Sequence, residues 1–141
     1  MAKKEILTIE DSNAVSYLIN TVLGKDFAVT SVKNCDDAIN HLHADLNKDV
    51  IIMNISDSDS DNFHLLQHIH TSAVLGNIRT VVISNSDDET LKSKTVELGA
   101  SLFLTKPFDP VYLSDRVKNM IYFGENEPVR KKRRSFNLNI F

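Results

Sequence analysis

Five short runs of β-branched and aromatic residues, each followed by a stretch with helical periodicity, constrain what this chain can fold into. The runs are EILTI (Glu5 to Ile9), FAVTSV (Phe27 to Val32), DVIIM (Asp49 to Met53), TVVIS (Thr80 to Ser84) and SLFLT (Ser101 to Thr105). Several are nearly continuous in apolar residues, the pattern of strands covered on both faces. Between them apolar residues recur at spacings of three and four. Val15, Leu18, Ile19, Val22 and Leu23 form one stripe, with Gly24 placed to end the helix. Ala38, Ile39, Leu42 and Leu46 form a second, and Phe63, Leu66, Ile69 and Ala73 a third. Leu91, Thr95 and Leu98 form a weaker fourth, closed by Gly99. The fifth helix has the plainest start, with Asp109 as N-cap and Pro110 at the first helical position, and carries Leu113, Val117, Met120 and Ile121. Strands alternating with helices mean right-handed crossovers. The expected architecture is therefore α/β, a doubly wound parallel sheet of five strands with five helices on its two faces.

The alternation stops near residue 123, which predicts one domain over 1–123 and a tail over 124–141. At 141 residues the chain can bury one core and is short for two. Its 42% hydrophobic and 25% charged residues are ordinary for a soluble globular protein. No apolar run is long enough to span a bilayer, and MAKKEILTIE has no signal-peptide core, so a cytoplasmic protein is expected. Cys35 is the sole cysteine, which excludes an internal disulfide and a cysteine cluster for zinc; it sits at a helix start and reads as structural. The net charge of −3 is unevenly spread. Arg130, Lys131, Lys132, Arg133 and Arg134 concentrate positive charge in the tail and leave the remainder acidic. Beyond them Phe136, Leu138 and Ile140 alternate with Asn137 and Asn139, the period of a strand with one apolar face.

Open sheets of this kind bind ligands outside the carboxyl ends of their strands, where the strand order switches. Glu10 and Asp11 follow the first strand there, and Asn54, Ile55 and Ser56 the third. Ser84 and Asn85 end the fourth, and Thr105, Lys106 and Pro107 the fifth. Two carboxylates, an amide, a hydroxyl and an ammonium would share one rim. No G-x-G-x-x-G and no P-loop accompanies them, which argues against a dinucleotide or a nucleoside triphosphate. Singly, each residue has a plainer reading. Glu10 and Asp11 are placed as strand-end and capping acids, since Asp11 or Ser12 precedes a helix, and Lys106 as a solvated lysine beside a turn.

The stretch DVIIMNISDSDSDN, Asp49 to Asn62, also contains the D-x-D-x-D opening of an EF-hand loop at Asp57, Asp59 and Asp61. Its sixth position is Asn62, which can adopt the left-handed conformation. Its twelfth is His68, which cannot clamp calcium with two oxygens, and the stretch is entered from a strand. The calcium reading fails on those grounds. His64 and His68, four apart on one helix face, form a metal pair without a third ligand and read as solvated.

Taken together, the rim residues resemble the receiver domain of two-component response regulators, over about residues 4 to 123. The resemblance is carried by Glu10 and Asp11 after strand one, Ser84 after strand four, and TKPF (Thr105 to Phe108) after strand five. ELGASLFLTKPFDP is the most family-like segment. The resemblance implies a flavodoxin-like strand order 2-1-3-4-5, and it places Phe103 at the aromatic position that changes rotamer on activation. It also implies a Mg²⁺ site on Glu10, Asp11 and Ser56. At the phospho-acceptor position, however, this chain has Asn54. An acyl phosphate needs a carboxylate nucleophile, and an amide oxygen is far less nucleophilic. Ser58 and Asn62 depart from the family's usual proline and glycine. The expectation is an atypical, pseudo-receiver member in which Mg²⁺ is absent or weakly held. Asn54 would then hydrogen-bond Lys106 and lock the rim.

The expected function is a signalling module without enzymatic activity that acts by phosphorylation-independent protein contact. By resemblance, the contact face is the fourth helix, fifth strand and fifth helix, Asp88 to Tyr122; a second copy of the chain is another candidate partner. Two alternatives stand beside it. One is nucleic-acid or anionic-surface binding through the basic tail, disfavoured because no base-reading motif accompanies it. The other is phosphorylation at a non-standard acceptor such as Asp57.

Overall fold

The structure, a computed structural model, describes residues 3–56 and 60–124. In chain order the elements are β1 (Glu5–Ile9), α1 (Asn13–Leu23), β2 (Ala28–Val32), α2 (Cys35–Ala44) and β3 (Val50–Asn54). They continue with α3 (Ser60–Thr71), β4 (Arg79–Ser84), α4 (Glu89–Glu97), β5 (Leu102–Thr105) and α5 (Pro110–Phe123). All strand pairs are parallel, in the order β2-β1-β3-β4-β5. This is the expected doubly wound sheet. The tail residues 125–141 and Asp57, Ser58 and Asp59 lie outside the described residues, and with them the expectations for Arg130 to Arg134 and for Asp57.

The near-continuous apolar strands follow from two cores on opposite faces of the sheet. Along β3, Ile51 and Met53 face one core with Leu42, Leu66 and Leu91 from α2, α3 and α4. Val50 and Ile52 face the other, with Ile19 and Leu23 from α1 and Leu113, Val117 and Met120 from α5. Successive strand side chains point to opposite faces, so both alternating sets must be apolar.

Helix ends follow local chemistry. Ser12 is the N-cap of α1, Asn34 of α2, Asp88 of α4 and Asp109 of α5, each accepting a backbone N–H from the first turn. Of the two candidate caps before the first helix, then, Ser12 caps and Asp11 does not. Gly124 closes α5 at φ 70° and its N–H bonds Asn119 O, a left-handed C-cap that a side chain would strain.

Two apolar stripes overran their helices. Leu46 lies past the end of α2 and is exposed, because the chain turns at Asp45, whose carboxylate accepts the Asn47 N–H. Ala73 likewise lies beyond Thr71 and is exposed. Phe27 precedes β2: its N–H still bonds Leu23 O at the end of α1, and its buried ring stacks on Tyr122 of α5. Asp49 also precedes its strand, with its carboxylate accepting the Glu5 N–H at 2.8 Å.

At the amino end of the sheet the Lys48 side chain is 1% exposed, with its ammonium 3.3 Å from Glu5 Oε1 and 3.2 Å from Asp45 Oδ2. Removing a buried cation strands its partners, but both carboxylates keep some water. Lys48→Ala is therefore expected to cost about 2–3 kcal/mol, below the usual loss for a fully buried pair. Lys48→Met should cost less, because it keeps the packed stem. The Asn47 N–H and then the Lys48 ammonium hold the Asp45 carboxyl below its ordinary value. A carboxyl lowered by folding stabilises above its unfolded value and loses that contribution as pH falls through the folded one. Thermal melts should show the gap between wild type and Lys48→Met narrowing below the ordinary carboxylate range; a gap independent of pH would contradict the ion-pair account.

Candidate functional site

The strand order places β1 between β2 and β3, so the chain reverses its direction of winding at the β1–β3 boundary. Glu10 leaves β1 on one side of that boundary, and Asn54 ends β3 on the other. Asn54 is still inside the sheet, in register with Ile83 of β4. Ser84 and Thr105 are paired at the ends of β4 and β5, which brings Lys106 to the same rim. The Lys106–Pro107 peptide is cis.

Glu10 is 4% exposed. Its backbone N–H bonds Val32 O at 3.0 Å, holding the residue against the end of β2. One carboxylate oxygen, Oε1, lies 2.9 Å from Lys106 Nζ. The other, Oε2, accepts the Ser12 N–H at 2.9 Å. Glu10 thus serves both as a rim carboxylate and as a local acceptor at the start of α1. Lys106 is not a solvated lysine: its side chain is 14% exposed and its N–H bonds Ser84 O at 2.8 Å. Asp11 is exposed and Ser56 half-buried. The fully buried Ser84 hydroxyl accepts the Ser86 N–H at 3.2 Å. Phe103 is half-buried on β5 and packs against the core under α2, α3 and α4.

The expected Asn54–Lys106 hydrogen bond is not made. The ammonium goes to Glu10, whose full negative charge makes it the stronger acceptor. The Asn54 Oδ1 is buried, and no donor among the described residues reaches it. Its backbone carbonyl is engaged instead, accepting from Asn62 Nδ2 at 2.7 Å. Asn62 is the third residue of α3 and buried, so it is neither a loop residue nor left-handed. It ties the start of α3 to the end of β3, a role that no spacing in the sequence signals. Asn62 also lines a cavity of about 270 Å³ with Asp11, Lys33, Asn34, Asn54 and Asp61. Only Asn34 among the newly placed residues had a readable signal, as a capping residue before a helical stripe.

His64 and His68 are exposed on α3 and line a groove of about 290 Å³ with Cys35, Asp36 and Asp61. Among the described residues no group of three or more His, Cys, Asp or Glu side chains is placed to hold a metal ion. The Mg²⁺ site implied by resemblance would draw on these same rim residues. Both Glu10 oxygens are committed, Asp11 is one exposed carboxylate, and Asn54 offers a neutral oxygen. As placed, these residues do not fit a resident divalent ion. Among the described residues no helix is long and apolar enough to cross a membrane.

Comparison with known proteins agrees with the fold. The response regulator receiver domain family matches residues 6–118. The transcriptional regulatory protein KdpE of Staphylococcus aureus is 31% identical over 120 residues, covering 82% of this chain and 49% of that protein. The phosphate regulon transcriptional regulatory protein PhoB of Escherichia coli is 24% identical over 116 residues, 82% of this chain and 50% of that protein. The chain spans about half the length of these curated relatives. Among solved structures, a response regulator from Thermotoga maritima superposes with a TM-score of 0.76 at 23% identity, covering 84% of this chain and 98% of that one. The chain belongs to the response regulator receiver domains, the signalling modules of two-component systems.

Proposed function

We propose that this receiver domain signals by protein–protein contact without itself carrying phosphate. The observation that carries the reading is Asn54. It holds the last position of β3 at the switch point, its side-chain oxygen has no donor among the described residues, and the nearby ammonium is already paired with Glu10. An amide there cannot supply the carboxylate oxygen that forms an acyl phosphate. The rim is thus held together by contacts that need no phosphoryl group.

The contact face is α4, β5 and α5. Val111 and Tyr112 stand exposed at the start of α5, and α4 exposes Glu89, Thr90, Ser93, Lys94 and Glu97. Such a surface fits a protein partner, with an aromatic anchor and a polar surround. The test is a pull-down from native extract, with and without prior treatment with acetyl phosphate and Mg²⁺. The same partner is expected in both, and lost with Val111→Glu or Tyr112→Ala. A partner recovered only after phosphodonor treatment would contradict the reading.

The basic tail is proposed as a separate binding element and not part of the core. α5 closes at Gly124, whose carbonyl accepts from Arg79 Nη2 at 3.3 Å. A chain ending at Gly124 is expected to keep its fold and nearly all of its melting temperature while losing a binding activity or self-association. A large fall in melting temperature, with the protein still monomeric, would show that the tail belongs to the core.

A further inference from the structure

The proposed function rests on position 54; the Glu10–Lys106 pair extends that reading to the metal. We infer that the Lys106 ammonium occupies the place of a divalent cation on Glu10, so that lysine and metal compete for one buried carboxylate. A carboxylate as buried as Glu10 requires a counter-charge. Lys106 supplies it at 2.9 Å. The ammonium is delivered by a rigid strand end, since the Lys106 N–H is fixed to Ser84 O at the edge of β4. The second Glu10 oxygen accepts the Ser12 N–H, which leaves the ammonium and an arriving metal ion to compete for the lone pairs that remain.

Asn54 strengthens this competition. A divalent ion arriving on Glu10 would displace the ammonium, which would then need another acceptor. The buried acceptor left open at the rim is Asn54 Oδ1. It is neutral, and a hydrogen bond to an amide stabilises an ammonium less than contact with a carboxylate does. Displacement therefore costs more here than it would with a carboxylate at position 54. The amide weakens metal binding twice, by removing a ligand charge and by offering Lys106 a neutral acceptor at position 54 in place of a carboxylate.

Mn²⁺ serves as the probe, its free concentration read by electron paramagnetic resonance and its affinity by calorimetry on the full chain, with no phosphodonor present. Lys106→Met is expected to bind Mn²⁺ at least about tenfold more tightly than wild type, a change of roughly 1.4 kcal/mol. Lys106→Arg keeps the charge and should bind like wild type. Adding Glu10→Gln to Lys106→Met should abolish the gain. Circular dichroism checks the fold of each variant, and Lys106→Gln gives the same gain if Lys106→Met does not fold. Affinity unchanged on removing the ammonium, or a gain that survives Glu10→Gln, would overturn the inference. A wild-type chain that accepts phosphate would overturn the functional reading and leave this metal result to stand or fall on its own.

Discussion

Asn54→Asp is expected to turn a chain that takes no phosphate from acetyl phosphate into one that carries a single phosphoryl group. The substitution changes one atom pair at the end of β3, in a position whose backbone is already fixed by pairing with β4 and by the Asn62 side chain. A carboxylate oxygen there can attack phosphorus, with acetate leaving, whereas the amide oxygen is a poor nucleophile. The new charge also lies at the rim with Glu10 and Asp11 and gives Lys106 a second anionic partner. Attraction between a unit charge and a divalent ion at contact amounts to several kcal/mol even with protein-surface screening, so Mg²⁺ affinity should rise together with reactivity. Intact-mass spectrometry with peptide mapping checks both the number and the place of the phosphoryl group. A variant that binds Mg²⁺ more tightly yet takes no phosphate would place the remaining defect in the segment between β3 and α3. A variant that does neither would mean that the rim does not have the arrangement described.

Leu66→Ala is expected to be the most damaging single change outside the rim. Leu66 is fully buried in the core beneath α2, α3 and α4. Truncation loses the transfer free energy of the side chain and leaves a cavity that a close-packed sheet closes only in part, about 3–4 kcal/mol in all. For a domain of this size that corresponds to a fall of roughly 10–15 °C in melting temperature. The same helix carries Asn62, so loosening α3 also loosens the hydrogen bond onto Asn54 O. A loss within a degree or two would contradict the placement of α3 against the sheet.

Strand and helix identity were legible in the sequence because both faces of the sheet are covered, whereas the strand order came with the family resemblance. Two-sided burial turns a strand such as Val50–Asn54 into an unbroken apolar run, and one-sided burial turns each helix into a stripe. Helix ends were legible where a capping residue stood, as at Asp109 and Gly24. They were missed where apolar spacing continued past an Asx turn, as at Leu46. At the rim, the strand ends placed Glu10 and Lys106 on one edge, where the two side chains pair. The strand ends did not predict which acceptor the Lys106 ammonium would take, because Glu10 and Asn54 are both at hand and the choice depends on charge and on ångström-scale placement. The Asn62 side chain was unreadable for a related reason. Its partner is a backbone carbonyl, and no residue type marks that partner in a sequence.

The native rim is expected to take no phosphate, and the intact mass of the wild-type chain after incubation with acetyl phosphate and excess Mg²⁺ measures this directly. The account predicts a single species at the unmodified mass under conditions in which Asn54→Asp shows a phosphoryl adduct. A stoichiometric adduct on the wild type would contradict it, and mapping that adduct to Asp57 would identify a different acceptor.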